Sequence, residues 1–350
     1  MIRIVIVCLF CGSFIGLDLA LGTLVPPHYR ENADHARIIN EYHSNQFRVA
    51  KSKESSAELL FLGDSRTRYN VNPEVLYQET SIDAFNLSID GAGVATIEAL
   101  TPVIKARFRK VKTLVWGISP RIFNVAWKDR AAERLTSSLG FKNYLGSCNR
   151  APWRCEASRH LDELVSVVSN TYAHRSIIRP ALMDVLFPRA TALPQFQPLE
   201  AVPMNARGFM PLPTRALIDT GEANNLKAYK ASHERGWFKW NKSIYKRFQH
   251  WVANEMPDGV NLVLFIPPMH YSFAELPTAD HDVTPDAQYG ELVKRLTHMA
   301  DANPRVTFVD FNRDGANEFT DSQWGNYDHL NADGAAIFTH LLGKVITHAH

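Results

Sequence analysis

The chain has 350 residues, of which 45% are hydrophobic and 21% charged, and its formal net charge is +2. This length and composition are typical of a globular protein with a substantial core. The near-neutral charge argues against nucleic acid as a partner, because phosphate backbones are bound by strongly basic surfaces. The fourteen histidines are scattered, and the close pair His348 and His350 lies at the C-terminus. We therefore expect no metal site and no cofactor.

The N-terminal 25 residues contain an apolar segment, residues 4–25, that follows Arg3 and is long enough to cross a bilayer as a helix. Asp18 lies in its outer half, where a charge costs less than the roughly 2.5 to 3.5 kcal/mol of a central one. A cleaved signal peptide is the competing interpretation, with a weak cleavage site at Ala20-Leu21-Gly22. We favour the uncleaved anchor, and both interpretations place the rest of the chain outside the cytoplasm.

A polar connector, residues 26–56, leads to the first strand of the main domain. Residues 59–62 are four consecutive large apolar residues, which predict a strand buried on both faces. Gly63 and Asp64 end this strand and place Ser65 at its carboxyl end, where open α/β sheets bind ligands. A simple exit from strand to loop is the alternative interpretation.

Four further apolar runs predict strands, and helical patterns separate them. The strands are predicted at residues 84–88, 111–116, 261–266 and 306–311. The helices are predicted from Pro73 onwards and at residues 94–108, 240–254, 285–302 and 332–347. This alternation predicts an α/β main domain, residues 57–350, with three αβα layers and a five-stranded parallel sheet.

Residues 121–240 interrupt the alternation with two helix-like patterns and a stretch rich in proline. We interpret them as an insertion over the carboxyl edge of the sheet, where loops often carry binding groups. A cap with no ligand role is the alternative. Within the insertion, Cys148 and Cys155 enclose six residues. This spacing can close a small disulfide loop in an oxidising compartment, whereas in the cytosol the pair would remain thiols.

A histidine shortly before the last helix, combined with Gly-Asp-Ser after the first strand, resembles the SGNH (GDSL-type) hydrolases and acyltransferases. The resemblance covers most of residues 55 to 348. Its three blocks are Gly63-Asp64-Ser65, Asn86-Leu87-Ser88-Ile89-Asp90-Gly91-Ala92-Gly93 and Asp328-His329-Leu330. More narrowly, residues 61–73 and the His-Leu-Asn-x-x-Gly ending resemble envelope SGNH proteins associated with O-acylation of cell-surface polymers. The resemblance implies a flavodoxin-like order of the five strands.

The resemblance implies that Ser65 is a nucleophile and His329 is its base, since neutral imidazole can take and return a proton near neutral pH. Family members usually have an aspartate three residues before the histidine, and here that residue is Asn326. Asparagine can orient the ring but adds no negative charge. We nominate the adjacent Asp328 as the third member, although its contact with the ring would require a turn, and we keep Asn326 as the rival.

The resemblance also implies an oxyanion hole, in which hydrogen-bond donors face the charge that develops during acyl transfer. The donors expected here are the N–H of Ser65, a glycine N–H from Gly91 or Gly93, and the hydroxyl of Ser119, where the family commonly has asparagine. Glycine suits this role because the absence of a Cβ lets a ligand approach the backbone closely.

Three arginines flank the expected pocket: Arg66, Arg68 and Arg121. They can hold an anionic or sugar-borne substrate through paired hydrogen bonds, or they can be ordinary solvated side chains.

The function implied by the resemblance is a serine acyl-ester enzyme that moves acetyl groups onto or off a cell-envelope polysaccharide. It would be held in the inner membrane by one N-terminal pass, with the main domain in the periplasm and a membrane acyl-transfer protein as a partner. Transferase and hydrolase activities stay open. The alternative is a non-catalytic polysaccharide-binding or assembly protein that keeps the SGNH fold.

Overall fold

A computed structural model describes residues 49–124, 129, 131–132, 204–212, 240–270, 285–313, 317–326 and 329–349. The expected membrane segment and the Cys148–Cys155 pair lie outside these residues. Within the part of the chain that the structure describes, no helix is both long and apolar enough to span a membrane.

A five-stranded sheet forms the centre of the protein, and all of its strands are parallel. The strands are β1 (Leu59–Gly63), β2 (Ala84–Asn86), β3 (Thr113–Gly117), β4 (Asn261–Ile266) and β5 (Val306–Asp310). Their spatial order is β2-β1-β3-β4-β5. The prediction of a five-stranded parallel α/β sheet is therefore confirmed, and each strand starts within two residues of its predicted position.

The helices are α1 (Ser65–Asn70), α2 (Pro73–Thr80), α3 (Val94–Arg107), α4 (Lys242–His250), α5 (Pro285–Ala302) and α6 (Ala332–Ala349). A π-helical turn, Trp251–Glu255, extends α4, and two 3₁₀ turns lie at Pro120–Phe123 and Asp321–Gln323. A short antiparallel hairpin, β6 (Trp324–Asn326) and β7 (His329–Leu330), precedes α6. The sequence predicted neither α1 nor this hairpin.

Helices pack on both faces of the sheet. On one face, Phe338 and Leu342 of α6 and Leu76 of α2 belong to the same buried cluster as Phe61 of β1 and Phe265 of β4. On the other face, the ring of Trp116 in β3 lies 5.2 Å from the rings of both Phe248 and Trp251. Helix, sheet and helix thus form the three layers expected from the alternation of elements.

The strand order places the topological switch point of the sheet beside the carboxyl end of β1, where Ser65 follows. After β1 the chain continues to β2 on one side, and it later returns to β3 on the other side. The connections leaving the carboxyl ends of β1 and β3 therefore diverge, and such a point is where open α/β sheets bind ligands. Gly63 and Gly117, the last residues of the two strands, are paired in register.

One described piece of the insertion, residues 204–212, packs along β2. The N–H of Asn86 donates to the carbonyl oxygen of Arg207 at 2.9 Å, and Phe209 and Met210 are buried. The Arg207 guanidinium forms ion pairs with Asp83 and Glu74. The sequence predicted residues 121–240 as an insertion over the carboxyl edge of the sheet, and its described residues 204–212 lie along the edge strand β2.

Asp83 is the carboxylate that pairs with Arg207 in the contact between residues 204–212 and the sheet. Partial burial by itself would raise the pKa of Asp83, but hydrogen bonds from Ser56 and Lys53 and the positive charges of Lys53 and Arg207 outweigh burial and lower the pKa. A lowered folded-state pKa stabilises the protein above the unfolded-state pKa of about 3.9, and the stabilisation is lost as the pH falls through the folded-state value.

We expect Asp83→Asn to lower the free energy of unfolding at pH 7 by about 1 kcal/mol, the usual scale for a partly exposed ion pair. The difference in unfolding free energy between the variant and the parent protein should shrink below about pH 4, because the Asp83 carboxylate of the parent then becomes protonated and loses its charge. Urea unfolding at a series of pH values measures both effects. Asp258→Asn is the control, because Asp258 is exposed. If Asp83→Asn changes the free energy of unfolding by the same amount at every pH, the lowered pKa of Asp83 is contradicted.

Candidate active site

The turn between β1 and α1 presents Ser65 at the carboxyl edge of the sheet. Gly63 has a φ of +141°, and Thr67 packs so closely that a Cβ on Gly63 or Gly117 would collide with its hydroxyl. The carboxylate of Asp64 accepts a backbone N–H of the first helical turn at 3.0 Å and caps α1. Ser65 is thereby the first residue of the helix, and it is partly exposed although Asp64 is buried.

The imidazole of His329 contacts the Ser65 hydroxyl, although 264 positions separate the two residues in the chain. Its Nε2 lies 2.8 Å from Ser65 Oγ, and its Nδ1 lies 3.0 Å from Asn326 Oδ1. An amide oxygen only accepts hydrogen bonds, so Nδ1 carries the ring proton and Nε2 accepts the serine proton. This is the arrangement of nucleophile, base and orienting group that acyl transfer through serine requires.

Helix α1 also holds the hairpin that carries the histidine. Asn70 Oδ1 accepts the N–H of Leu330 at 2.9 Å. Tyr69 packs edge-on against the imidazole, with the ring centroids 5.1 Å apart. The hairpin pairs Asn326 with His329 across its two strands. The imidazole is therefore fixed by the pairing of its strand, by the edge-on contact with Tyr69 and by hydrogen bonds on both ring nitrogens.

The orienting group that the structure describes is Asn326. The nominated Asp328 lies outside the described residues, so its position is not described. The pairing of β6 with β7 explains how a residue three positions before the histidine reaches the ring, since antiparallel neighbours lie side by side.

Comparison of this chain with protein-family models, with curated proteins and with solved structures finds no match.

Two backbone N–H groups that follow the carboxyl ends of β1 and β2 are suited to an oxyanion. Ser65 and Gly91 are both partly exposed, and within the described ranges no hydrogen bond uses the N–H of either residue. Gly91 has a φ of +73°, and no described atom lies within 4 Å of the position that a Cβ would take. The open space beside this backbone lets a substrate approach it closely.

The N–H of Gly93 has a different partner. It donates to the carboxylate of Asp129 at 3.1 Å, and the same carboxylate accepts the N–H of Thr96 at 2.9 Å and its hydroxyl at 2.5 Å. Gly93 is the N-cap of α3 and has no side chain of its own with which to cap the helix. Asp129 supplies that cap from a distant part of the chain. The structure thus corrects the expectation that Gly93 donates to an oxyanion.

The hydroxyl of Ser119 is also engaged. Ser119 is 0% exposed and Arg66 is 2% exposed, and Arg66 Nη1 donates to Ser119 Oγ across 2.6 Å. Serine is shorter than the asparagine of the resembled family, and here a guanidinium lies against it. Direct contact between Ser119 and a substrate is therefore not favoured by this geometry.

The other two arginines hold carboxylates of the site. Arg68 is 0% exposed, and its Nη1 lies 3.5 Å from Asp90, which also accepts the Tyr69 hydroxyl at 3.1 Å. Arg121 is partly exposed and pairs with the capping residue Asp64 at 3.1 Å. The interpretation of Arg66 and Arg68 as solvated side chains is wrong, because both are buried. Of the three arginines, Arg121 is the one with an exposed part that can contact a substrate.

Asn86 is a site-building residue whose role the sequence did not reveal. Its side-chain nitrogen donates to the carbonyl oxygens of Thr67 and Val71 at 3.2 and 3.0 Å, and its oxygen accepts the N–H of Ser88 at 3.1 Å. These bonds fix the C-terminal end of α1, where the Thr67 carbonyl also accepts the N–H of Val71 at 3.1 Å. The sequence signal that could have indicated this role is the position of Asn86 as the first residue of the second block of the resemblance, residues 86–93.

The described residues contain no cluster of three or more histidine, cysteine, aspartate or glutamate side chains that could hold a metal ion. The group that contacts the Ser65 hydroxyl is the imidazole of His329, whose other ring nitrogen contacts the amide of Asn326. This set can move a proton and stabilise negative charge.

Proposed function

We propose that this protein is an SGNH-type serine acyl-ester enzyme that works through an acyl-serine intermediate. The observation that carries the proposal is the contact of 2.8 Å between Ser65 Oγ and His329 Nε2, with Asn326 on the opposite ring nitrogen. Ser65 also lies at the carboxyl end of β1, beside the divergence of β1 and β3.

In the proposed reaction, Ser65 Oγ attacks the carbonyl carbon of an acyl ester while His329 Nε2 takes the hydroxyl proton. The carbonyl oxygen becomes an oxyanion that accepts hydrogen bonds from the N–H groups of Ser65 and Gly91. The intermediate collapses, the ester bond breaks, and the leaving alcohol takes the proton from His329. A sugar hydroxyl or water, deprotonated by His329, then attacks the acyl-serine and releases Ser65.

The proposed substrate is an O-acetylated cell-envelope polysaccharide. The support for this choice is the resemblance of residues 61–73 and of the C-terminal motif to envelope O-acylation proteins, together with the apolar N-terminal segment. The proposed location is accordingly the inner membrane, with the active domain in the periplasm and a membrane acyl-transfer protein as donor partner. Water as acceptor gives an esterase, and a sugar hydroxyl gives a transferase.

A non-catalytic polysaccharide-binding or assembly role is the second candidate. Two observations favour it: the orienting group Asn326 is neutral, and Ser119 stands where the resembled family commonly has an asparagine donor. A neutral partner stabilises imidazolium less than a carboxylate does. Each missing oxyanion donor typically costs about 2.7 to 4 kcal/mol in the activation barrier.

Covalent labelling separates the two candidates. We expect a fluorophosphonate to phosphonylate the purified protein once, with loss of fluoride, and peptide mass spectrometry to place the adduct on Ser65. Ser65→Ala should take no label and should not release p-nitrophenol from its acetate ester. Absence of labelling in the parent protein, or equal ester hydrolysis by the two proteins, would contradict the enzyme and leave the binding role.

A further inference from the structure

The side chain of Tyr69 contacts both the base and the loop of residues 87–93, which follows β2. Tyr69 lies four residues after Ser65 in α1, so the two side chains project from the same face of the helix. Its ring packs edge-on against the imidazole of His329, with the centroids 5.1 Å apart. Its hydroxyl donates to Asp90 Oδ2 at 3.1 Å. One side chain, only 5% exposed, therefore joins two parts of the site that are distant in the chain.

The loop of residues 87–93 runs alongside β1 towards the nucleophile. The N–H of Ile89 donates to the carbonyl oxygen of Gly63 at 2.9 Å, which continues the parallel pairing beyond β2. Ser65 follows Gly63 by two positions, and Gly91 follows Ile89 by two positions. Asp90 therefore lies between the last residue that bonds to β1 and the expected oxyanion donor Gly91.

Two consecutive residues of α1 hold the carboxylate of Asp90. Arg68 Nη1 lies 3.5 Å from the same Oδ2 that accepts the Tyr69 hydroxyl. Arg68 is 0% exposed, and the Asp90 side chain is 19% exposed. Hydrogen bonds to an ionised carboxylate are stronger than bonds between neutral groups. The position of Asp90, and with it the backbone of the next residue, Gly91, is thus tied to the helix that begins with Ser65.

We infer that Tyr69 is a positioning residue that fixes the base and the oxyanion donor relative to each other. Its ring restrains the imidazole of His329. Its hydroxyl, through Asp90, restrains the backbone that presents the N–H of Gly91. The inference rests on the proposed function. Such restraint matters because a misplacement of about 1 Å can cost about 100-fold in rate.

Tyr69→Phe tests the hydroxyl alone, because the aromatic ring beside His329 remains. The probe is an alkylboronic acid: its boron bonds to Ser65 Oγ, the hydroxyl proton passes to His329, and the product is a tetrahedral anion that resembles the intermediate. We expect boronate affinity and kcat/KM for p-nitrophenyl acetate to fall together by about 10- to 100-fold, with KM little changed. The acidic limb of the pH–rate profile should stay where it is in the parent protein.

Two further tyrosine variants complete the comparison. Tyr69→Leu also removes the ring contact with His329, so we expect a further loss of about tenfold and slower fluorophosphonate labelling of Ser65. Tyr245→Phe is the control, because Tyr245 belongs to α4 and is as buried as Tyr69, 4% against 5% exposed. Loss of its hydroxyl should leave kcat/KM within about twofold of the parent value.

A double variant tests the bond between Tyr69 and Asp90. If the two side chains act through this bond, Tyr69→Phe should cost little in an Asp90→Ala background, and the combined loss should stay well below the product of the single losses. Fluorophosphonate titration counts the active sites in each preparation, and the rates are divided by that count. If Asp90→Ala does not fold, Tyr69→Phe alone decides.

The inference is overturned if folded Tyr69→Phe binds the boronate and hydrolyses the ester as the parent does. It is also overturned if the single losses multiply in the double variant, if the acidic limb moves in Tyr69→Phe, or if KM changes as much as boronate affinity. A loss that disappears once rates are divided by the titrated sites marks a merely structural residue and overturns it too.

Fluorophosphonate labelling of Ser65 separates this inference from the proposed function on which it rests. No labelling of the parent protein rejects the proposed function. Labelling of the parent and of Tyr69→Phe at the same rate rejects the role of Tyr69 alone.

Discussion

Replacing His329 by alanine is expected to lower kcat/KM for p-nitrophenyl acetate by about 10³-fold or more. The ring nitrogen lies 2.8 Å from Ser65 Oγ and takes its proton in the proposed attack. General-base catalysis by a positioned side chain typically contributes 10² to 10⁴ in rate, and triad members act as a unit. The rate of fluorophosphonate labelling should fall with it, because both reactions need the same activated hydroxyl.

His340→Ala is the matched control for this change. His340 is an exposed histidine on α6 that contacts Glu79 on α2, so its loss should leave the rate within about twofold. His329→Gln is a second variant that keeps a planar group beside Tyr69, and it should lose as much activity as His329→Ala. A folded His329→Ala protein with the parent rate would show that this imidazole is not the base.

Five strands were predictable because each contains a short apolar run, although β5 is buried only at Val306 and partly buried along the rest of its length. All residues of β1 and β3 are buried, and a run without alternation is the signal of such a strand. The alternation with helices then required parallel pairing, which the observed order β2-β1-β3-β4-β5 shows. The hydrophobic pattern of the sequence was therefore sufficient to predict the central sheet.

Helix α1 could not be predicted in the same way. Its residues from Arg66 to Asn70 are all buried, and most of them are polar. Such a helix has no apolar face and no period of 3.6 in its hydropathy. It is held instead by specific contacts: the Asp64 cap, the Arg66–Ser119 bond and the Asn86 bonds to its last carbonyls. Polar contacts between distant segments leave no local sequence signal.

This contrast between local sequence patterns and contacts of distant segments also explains which parts of the site could be predicted. Ser65 and His329 were recognisable because each sits at the end of a strand or before a helix in a known pattern, and the structure brings them together. The partner of Gly93 was not recognisable, because Asp129 lies 36 positions away in the chain. Nor was the burial of Arg66, since arginines are usually exposed. Charged side chains were therefore the least predictable part of the site.

A gain of activity is the most discriminating result we expect, from Asn326→Asp. The amide oxygen lies 3.0 Å from His329 Nδ1, so a carboxylate at the same place would face the imidazolium that forms during attack. In serine proteases the reverse change costs about 10⁴ in kcat, partly because it leaves the ring in the wrong tautomer. Asn326 already selects the correct tautomer, so only the charge is gained.

We therefore expect kcat/KM to rise about 10- to 100-fold, which corresponds to about 1.4 to 2.8 kcal/mol of added stabilisation. The acidic limb of the pH–rate profile should also move to higher pH, because a carboxylate favours the protonated ring. Asn326→Leu has similar size but no acceptor, and it should lose activity. If Asn326→Asp gains nothing while Asp328→Asn loses activity, Asp328 is the orienting residue. If neither variant changes the rate, His329 needs no orienting partner for the reaction measured, and the proposed arrangement of the triad is wrong.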